Sequence, residues 1–297
     1  MQLGAIDIGS NAVRLLVAEA WRGKDGLSVL KKEKLYRIPV RLGVDAFGKG
    51  IICEHSEAQL MRAMQAFRHI MDVYGVTAYR ACATSALRDS KNANDILKNI
   101  RKKADINIDL ISGDEEAAII LDAQLNESQW LDKRFAHLHV DVGGGSTEIT
   151  LRHGTTSLCA HSFQIGTVRL FEQKVQKGEW SDMAKWLAEN VTPKMPLAII
   201  GSGGNINSIF KRSDNHDGEP LLYDYIRQQR NVLRSLDVDD RILMHNMNRD
   251  RAEVIVYALD IFLFVMEQAQ VKQVFVPKIG LVDGIMDKLY DINKNKI

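Results

Sequence analysis

Leu138-His139-Val140-Asp141-Val142-Gly143-Gly144-Gly145-Ser146-Thr147-Glu148-Ile149-Thr150-Leu151 is the stretch on which the reading of this chain turns. Apolar residues alternate as far as Val142, stop at three glycines and alternate again from Thr147, the pattern of a β-hairpin. Glycines can take up positive φ and bare their backbone N–H groups, so the turn is expected to form an anion-binding concavity. Asp141 lies just before the turn and Glu148 just after it. Donors for phosphate beside acids for a hard cation are what metal-dependent phosphate chemistry requires.

Residues 3–17 repeat that pattern: strand, Asp7, a turn through Gly9 and Ser10, then a second strand. Asp7-Ile8-Gly9-Ser10 aligns with Asp141-Val142-Gly143-Gly144. Asp-Xaa-Gly is good turn chemistry anywhere, but two copies in matched contexts suggest two similar domains, each offering one hairpin to a shared cleft.

Other stretches add chemistry at helix starts. Ser112-Gly113-Asp114-Glu115-Glu116-Ala117 opens a helix, where each acid complements the dipole for about 0.3–1 kcal/mol. Neighbouring helical residues point ~100° apart, so only one of Glu115 and Glu116 can face a given site. Gly201-Ser202-Gly203-Gly204-Asn205 follows the apolar strand 197–200 and reads as a second phosphate loop. It lacks the Lys-Ser/Thr of a Walker loop and the last glycine of a dinucleotide fingerprint. Thr84, Ser85 and Arg88, beyond a strand at 76–82, suit either phosphate contacts or a helix cap. The cations Lys31, Lys32, Lys34, Arg37 and Arg41 suit a polyanion or a solvated strand face.

The remaining pattern supplies a scaffold. Ser56 and Gln59 have capping-box spacing for a helix striped by Leu60, Met64, Phe67 and Met71 and stopped by Gly75. Strands are expected at 106–111 and 272–276, one apolar core helix at 250–269, and a closing amphipathic helix from Gly280. Residues 126–133 read as a link, and His216-Asp217 as an exposed turn rather than a metal pair.

With 297 residues, 45% hydrophobic and 26% charged, the chain suits about two domains of a soluble globular protein. A net charge of +1 argues against a generic nucleic-acid-binding surface. The three cysteines, Cys53, Cys82 and Cys159, form no CxxC pair and fit a reduced compartment. Residues 254–266 fall short of the ~20 needed to span a membrane, and the start has no leader pattern. A cytoplasmic protein with neither membrane nor nucleic acid as partner is expected.

In their order and spacing, Asp7–Asn11, Ser112–Ala117, Asp141–Glu148 and Gly201–Asn205 resemble the exopolyphosphatase / guanosine pentaphosphate phosphohydrolase (Ppx/GppA) family, over essentially the whole chain. That resemblance implies an α/β fold of two ribonuclease-H-like, actin-like ATPase domains flanking a cleft. Residues 1–126 would be the first and 127–297 the second, with the closing helix, 281–297, returning to the first. It also implies a homodimer and a polyanionic phosphate substrate. Glu116 is the implied catalytic glutamate, which would orient and deprotonate the attacking water. Asp141 and Glu148 match acids associated with Mg²⁺ (or another divalent cation). Ser10, Asn11, Gly143, Gly144, Gly145, Ser146, Gly203 and Gly204 match phosphate loops, and Arg14 and Arg88 match basic positions near the phosphates.

The chain departs from the family pattern at Ala118, often Arg, at Ala12-Val13, and at Val282-Asp283. Longer members carry a further helical region that binds long polyphosphate. The sequence stops before it, so short polyphosphate or guanosine tetra- and pentaphosphates are the expected substrates. A kinase or ATPase on the same fold, and a non-catalytic guanosine polyphosphate sensor, are the alternatives.

Overall fold

The computed structural model describes residues 1–23, 28–127, 135–154, 156–191 and 196–296. Of the expected link over 126–133, residues 128–133 lie outside the described residues. The chain divides into two compact units, Met1–Ala123 with Leu281–Ile297, and Gln124–Gly280.

Along the chain the elements run β1 (Gln2–Ile8), β2 (Val13–Arg22), β3 (Ser28–Ile38), α1 (Leu42–Lys49), α2 (Glu54–Val73), β4 (Val76–Ala83), α3 (Ser85–Arg88), α4 (Ala93–Ala104), β5 (Asp109–Leu110) and α5 (Gly113–Glu127). Then come β6 (Ala136–Val142), β7 (Thr147–His153), β8 (Thr156–Phe163), α6 (Thr167–Phe171), α7 (Glu179–Asn190), β9 (Leu197–Ser202) and α8 (Gly204–Phe210). β10 (Leu221–Leu222), α9 (Tyr223–Ser235), α10 (Val238–His245), α11 (Arg249–Ala252), α12 (Ile255–Gln268), β11 (Gln273–Phe275) and α13 (Leu281–Asn293) complete the series.

Each unit is built on one sheet, and the two sheets share a topology. The first has the order β3-β2-β1-β4-β5 and the second β8-β7-β6-β9-β11-β10. In each, an antiparallel meander is extended by a parallel strand on the far side of its first strand, β4 beside β1 and β9 beside β6. This is ribonuclease-H-like order, and the hairpins read from Asp7 and Asp141 are the first two strands of the respective meanders.

Apolar patterning explains the layering. In the first unit Leu281, Val282, Ile285, Met286 and Leu289 form one face of α13, buried with Leu3, Ala5, Leu16, Ala18 and Ala20. α13 comes so close to α5 that a Cβ at Gly284 would lie 2.3 Å from the Ile119 carbonyl oxygen. In the second unit α12 is apolar nearly all round and is buried with Leu138, Val140, Val142, Ile149 and Leu151 of the hairpin. Among the described residues no helix is long and apolar enough to cross a membrane.

Several boundaries differ from expectation. α2 starts at Glu54 with Cys53 in the capping position, so Ser56 is inside the helix rather than capping it. Asp45 anchors that start by accepting the Cys53 backbone N–H at 3.2 Å. The expected helix over 250–269 is two, α11 and α12, broken at Glu253–Val254, where the Arg251 carbonyl accepts the Val254 N–H in a tighter i→i+3 turn. The strand expected over 106–111 pairs only at Asp109–Leu110.

The sheet face of unit two that carries Asp141 also carries His137 and His139, both buried. His139 Nδ1 is hydrogen-bonded to Gln124 Oε1. Burial first, then the neighbouring His137 and Arg152, pushes the His139 imidazole down to about 3, so it is folded in as the neutral form. A depressed imidazole contributes stability that is complete above its unfolded value, near 6.5, and is lost as pH falls toward 3. Urea-unfolding midpoints should therefore drop between pH 6.5 and 4 more steeply in the parent than in His139→Gln, and parallel pH slopes would refute the assignment.

Candidate active site

In the second unit the hairpin register is Asp141 opposite Glu148 and Val142 opposite Thr147. Residues directly opposite point to the same face, so both acids project from one side of the sheet. A carboxylate oxygen of Asp141 and one of Glu148 lie within 4.8 Å of each other. Glu148 is buried, at 3% exposure. Asp141 accepts the Ser202 hydroxyl at 2.5 Å, and Glu148 accepts the Ser162 hydroxyl at 2.7 Å.

The turn itself is held from behind. The Thr167 N–H donates to the Gly143 carbonyl (3.0 Å), and the Val168 and Arg169 N–H groups donate to the Gly144 carbonyl (2.8 and 3.1 Å). Arg169 Nε donates to the Gly145 carbonyl at 2.9 Å. In a trans peptide the N–H points opposite to the C=O, and among the described residues there are no cis bonds. The N–H groups of Gly144, Gly145 and Ser146 therefore face away from α6, forming the fork of donors that an oxyanion requires. None of the three glycines takes the positive φ expected of them. The turn demands room instead: a Cβ at Gly166 would lie 2.4 Å from the Gly144 carbonyl oxygen. Left-handed backbone belongs to Gly203 (φ 108), whose absent Cβ would sit 2.6 Å from the Val142 carbonyl oxygen. Gly204, next to it, opens α8.

The first unit repeats the device. The Arg41 N–H donates to the Asn11 carbonyl (3.0 Å) and the Gly43 N–H to the Ser10 carbonyl (2.8 Å), which turns the N–H groups of Asn11 and Ala12 the other way. The Gly9 N–H bonds the Ala12 carbonyl as the Gly143 N–H bonds that of Ser146. In both units the helix after the third strand gives its otherwise unpaired N-terminal N–H groups to the turn. The register again sets a second-strand residue opposite the aspartate, but it is Arg14 opposite Asp7, ion-paired at 2.5 Å. Burial pushes the Asp7 carboxyl up and Arg14 draws it partly back.

The other residues of the first unit gather where β1, β4 and β5 end, the usual ligand end of a parallel sheet. Ser10 Oγ is 2.9 Å from Ser85 Oγ. Ser112 Oγ caps α5 by accepting the Glu115 N–H at 3.1 Å. The two glutamates then diverge. Glu115, 46% exposed, pairs with Arg80, whereas Glu116, 12% exposed, lies 3.8 Å from an Arg88 guanidinium nitrogen. Arg88 also donates to the Ile111 carbonyl at 2.8 Å. The structure thus brings together Ser10, Asn11 and Arg14 on the first hairpin and Arg88 with Glu116 beside it. In the second unit it gathers Asp141, Glu148, the 143–146 turn and Gly203-Gly204. Ser162, Arg169 and Gly166 carry parts of this geometry that the sequence reading missed.

The donor set of the second unit fits a hard divalent cation. Two carboxylates side by side supply oxygen ligands and a double negative charge, and Mg²⁺ is commonly held by one or two carboxylates with waters and substrate phosphates completing its shell. By contrast His216-Asp217 lies in an exposed turn, where Asp217 pairs with Lys278.

A family model described as the Ppx/GppA phosphatase family matches residues 17–292. Exopolyphosphatase 1 of Mycobacterium tuberculosis is 31% identical over 170 residues, covering 57% of this chain and 48% of that protein. Guanosine-5'-triphosphate,3'-diphosphate pyrophosphatase of Photobacterium profundum is 25% identical over 296 residues, covering 95% and 58%. The chain thus spans about half the length of these curated relatives. The crystal structure of an exopolyphosphatase from Cytophaga hutchinsonii superposes with a TM-score of 0.81 at 22% identity, covering 98% of each chain. That likeness is one of fold, and it gives the chain the two-domain actin-like architecture.

Because Gly166 has ordinary extended φ (−133), Gly166→Ala tests close approach alone. It should displace the 143–146 turn and weaken the binding of a phosphate-containing ligand about tenfold, at a stability cost of about 1–3 kcal/mol. Calorimetric titration with pyrophosphate, beside a denaturation curve, measures both. Unchanged binding would show that the turn holds its shape without this contact.

Proposed function

This chain belongs to the Ppx/GppA phosphatase family, and on that premise we propose that it hydrolyses a terminal phosphoanhydride. The proposed substrates are inorganic polyphosphate and guanosine pentaphosphate, the compounds suggested by the names of its relatives. The observation that carries the reading is the hairpin Asp141–Glu148, where two facing carboxylates flank a turn with three outward N–H groups.

Phosphoryl transfer calls chiefly for positioning and for neutralising charge as it develops. The N–H groups of Gly144, Gly145 and Ser146 would bind non-bridging oxygens of a phosphate, as would those of Asn11 and Ala12. Arg14 and Arg88 would add cationic charge beside the first of these turns. Asp141 and Glu148 would hold the divalent cation, which when bound supplies charge neutralisation to the phosphate oxygens. Glu116 would accept a proton from the water that attacks the terminal phosphorus.

Glu116→Gln should lower turnover by about 10²–10⁴-fold, the usual contribution of a general base, while leaving substrate affinity nearly intact; unchanged turnover would remove Glu116 from the mechanism. Asp141→Asn should shift the Mg²⁺ dependence of the rate to higher concentration, and superimposable Mg²⁺ titrations would contradict its role. Phosphate release measured side by side from triphosphate, long-chain polyphosphate, guanosine pentaphosphate and ATP tests the function itself. Release from ATP alone would favour a kinase or ATPase, and release from none a binding protein.

A further inference from the structure

We propose that Ser162 and Ser202 are positioning residues of the cation centre, each fixing one of its two carboxylates through a hydroxyl donated from the neighbouring strand. The inference rests on the cation-binding reading of Asp141 and Glu148 above and extends it to residues outside that pair. The register places four residues in one row across four adjacent strands: Ser202 beside Asp141, Asp141 opposite Glu148, and Glu148 opposite Ser162. In-register neighbours share a face of the sheet, and both outer hydroxyls reach the acid next to them, at 2.5 Å and 2.7 Å.

This arrangement is specific to the pair of acids, as the first unit shows. The matching row there is Cys82, Asp7, Arg14 and Arg37. Where the aspartate faces an arginine, neither outer position carries a hydroxyl. Where it faces a glutamate, both do. A serine hydroxyl beside a carboxylate gives a charge-assisted hydrogen bond, which is short and about twice as strong as a neutral one. It occupies one of roughly four lone-pair sites on the carboxylate and so sets the direction in which the others point. Serine is short and reaches only its in-register neighbour, and Ser202 is 1% exposed. The hydroxyls therefore hold the two carboxylates in fixed orientations before an ion arrives. Donors that orient metal ligands from outside typically contribute 10–100-fold to affinity.

The test is Mn²⁺ titration of the metal-free full chain, followed by electron paramagnetic resonance, with Ser162→Ala, Ser202→Ala and the double variant. Each single variant should weaken Mn²⁺ binding about tenfold, and Ser162→Thr, which keeps a hydroxyl, should restore it. Thermal unfolding in excess chelator separates positioning from folding. The proposal expects metal-free midpoints close to the parent's, whereas a loss of stability in proportion to the loss of affinity would make the serines structural and overturn it. Parental Mn²⁺ affinity in both alanine variants would overturn the serine assignment alone. Absence of Mn²⁺ binding by the parent would overturn the cation centre and the serine proposal together.

Discussion

Asp141 opposite Glu148 is a like-charge pair at directly facing positions of a hairpin, an arrangement that opposes strand pairing. With carboxylate oxygens within 4.8 Å of each other and an effective dielectric of about 20, the repulsion between two such charges is at least roughly 3 kcal/mol. The strands on either side, β9 along β6 and β8 along β7, hold the pair in register against it. The apolar side of β6 and β7 does the rest: Leu138, Val140, Ile149 and Leu151 are buried against α12. A slip of one residue would bring the acids into that core. Burial on one face thus enforces the charge pairing on the other.

The turn between those acids is shaped from outside rather than by its own residues. α6 and Arg169 occupy the three glycine carbonyls, and peptide planarity then aims the following N–H groups the opposite way. In the first unit α1 does the same for Ser10 and Asn11, although Arg41 must adopt a left-handed conformation (φ 58, ψ 38), unusual for a residue with a side chain. Three glycines in one turn and Ser-Asn in the other give donors aimed the same way, three N–H groups in the first case and two in the second. What must be kept is the helix start after the third strand, because its spare N–H groups need the turn carbonyls as much as the turn needs them.

Periodicity made the elements legible, and adjacency in sequence made the motifs legible. The alternation around Gly143–Gly145, the strand-turn-strand copy at Asp7 and the acids after Ser112 are all local patterns, and each is where it was expected. The ~100° between helical neighbours implied that Glu115 and Glu116 part company, as they do, one toward Arg80 and the other toward Arg88. Register across strands is not local. Ser162 comes fourteen residues after Glu148, and Ser202 sixty-one after Asp141, and only the pairing of β7 with β8 and of β6 with β9 makes them neighbours. Cys53 could not be read as the start of α2 for the same reason, since its anchor is Asp45, on α1. The turn glycines misled differently: they signalled positive φ, whereas the close approach that demands a glycine falls at Gly166, against the Gly144 carbonyl.

The two units show how one scaffold carries opposite charge. Each begins with an aspartate at the end of the meander's first strand and a turn held by a helix. The seventh residue after that aspartate settles the electrostatics: Arg14 in one unit and Glu148 in the other. With Arg14, the buried Asp7 has a counter-charge within the chain, which draws its carboxyl partly back from the upward push of burial. With Glu148, the second unit sets two carboxylates side by side, and a serine on each flanking strand donates its hydroxyl to one of them. The divergence of a single position thus separates an aspartate paired with arginine from two facing carboxylates, the donor set that suits a hard cation.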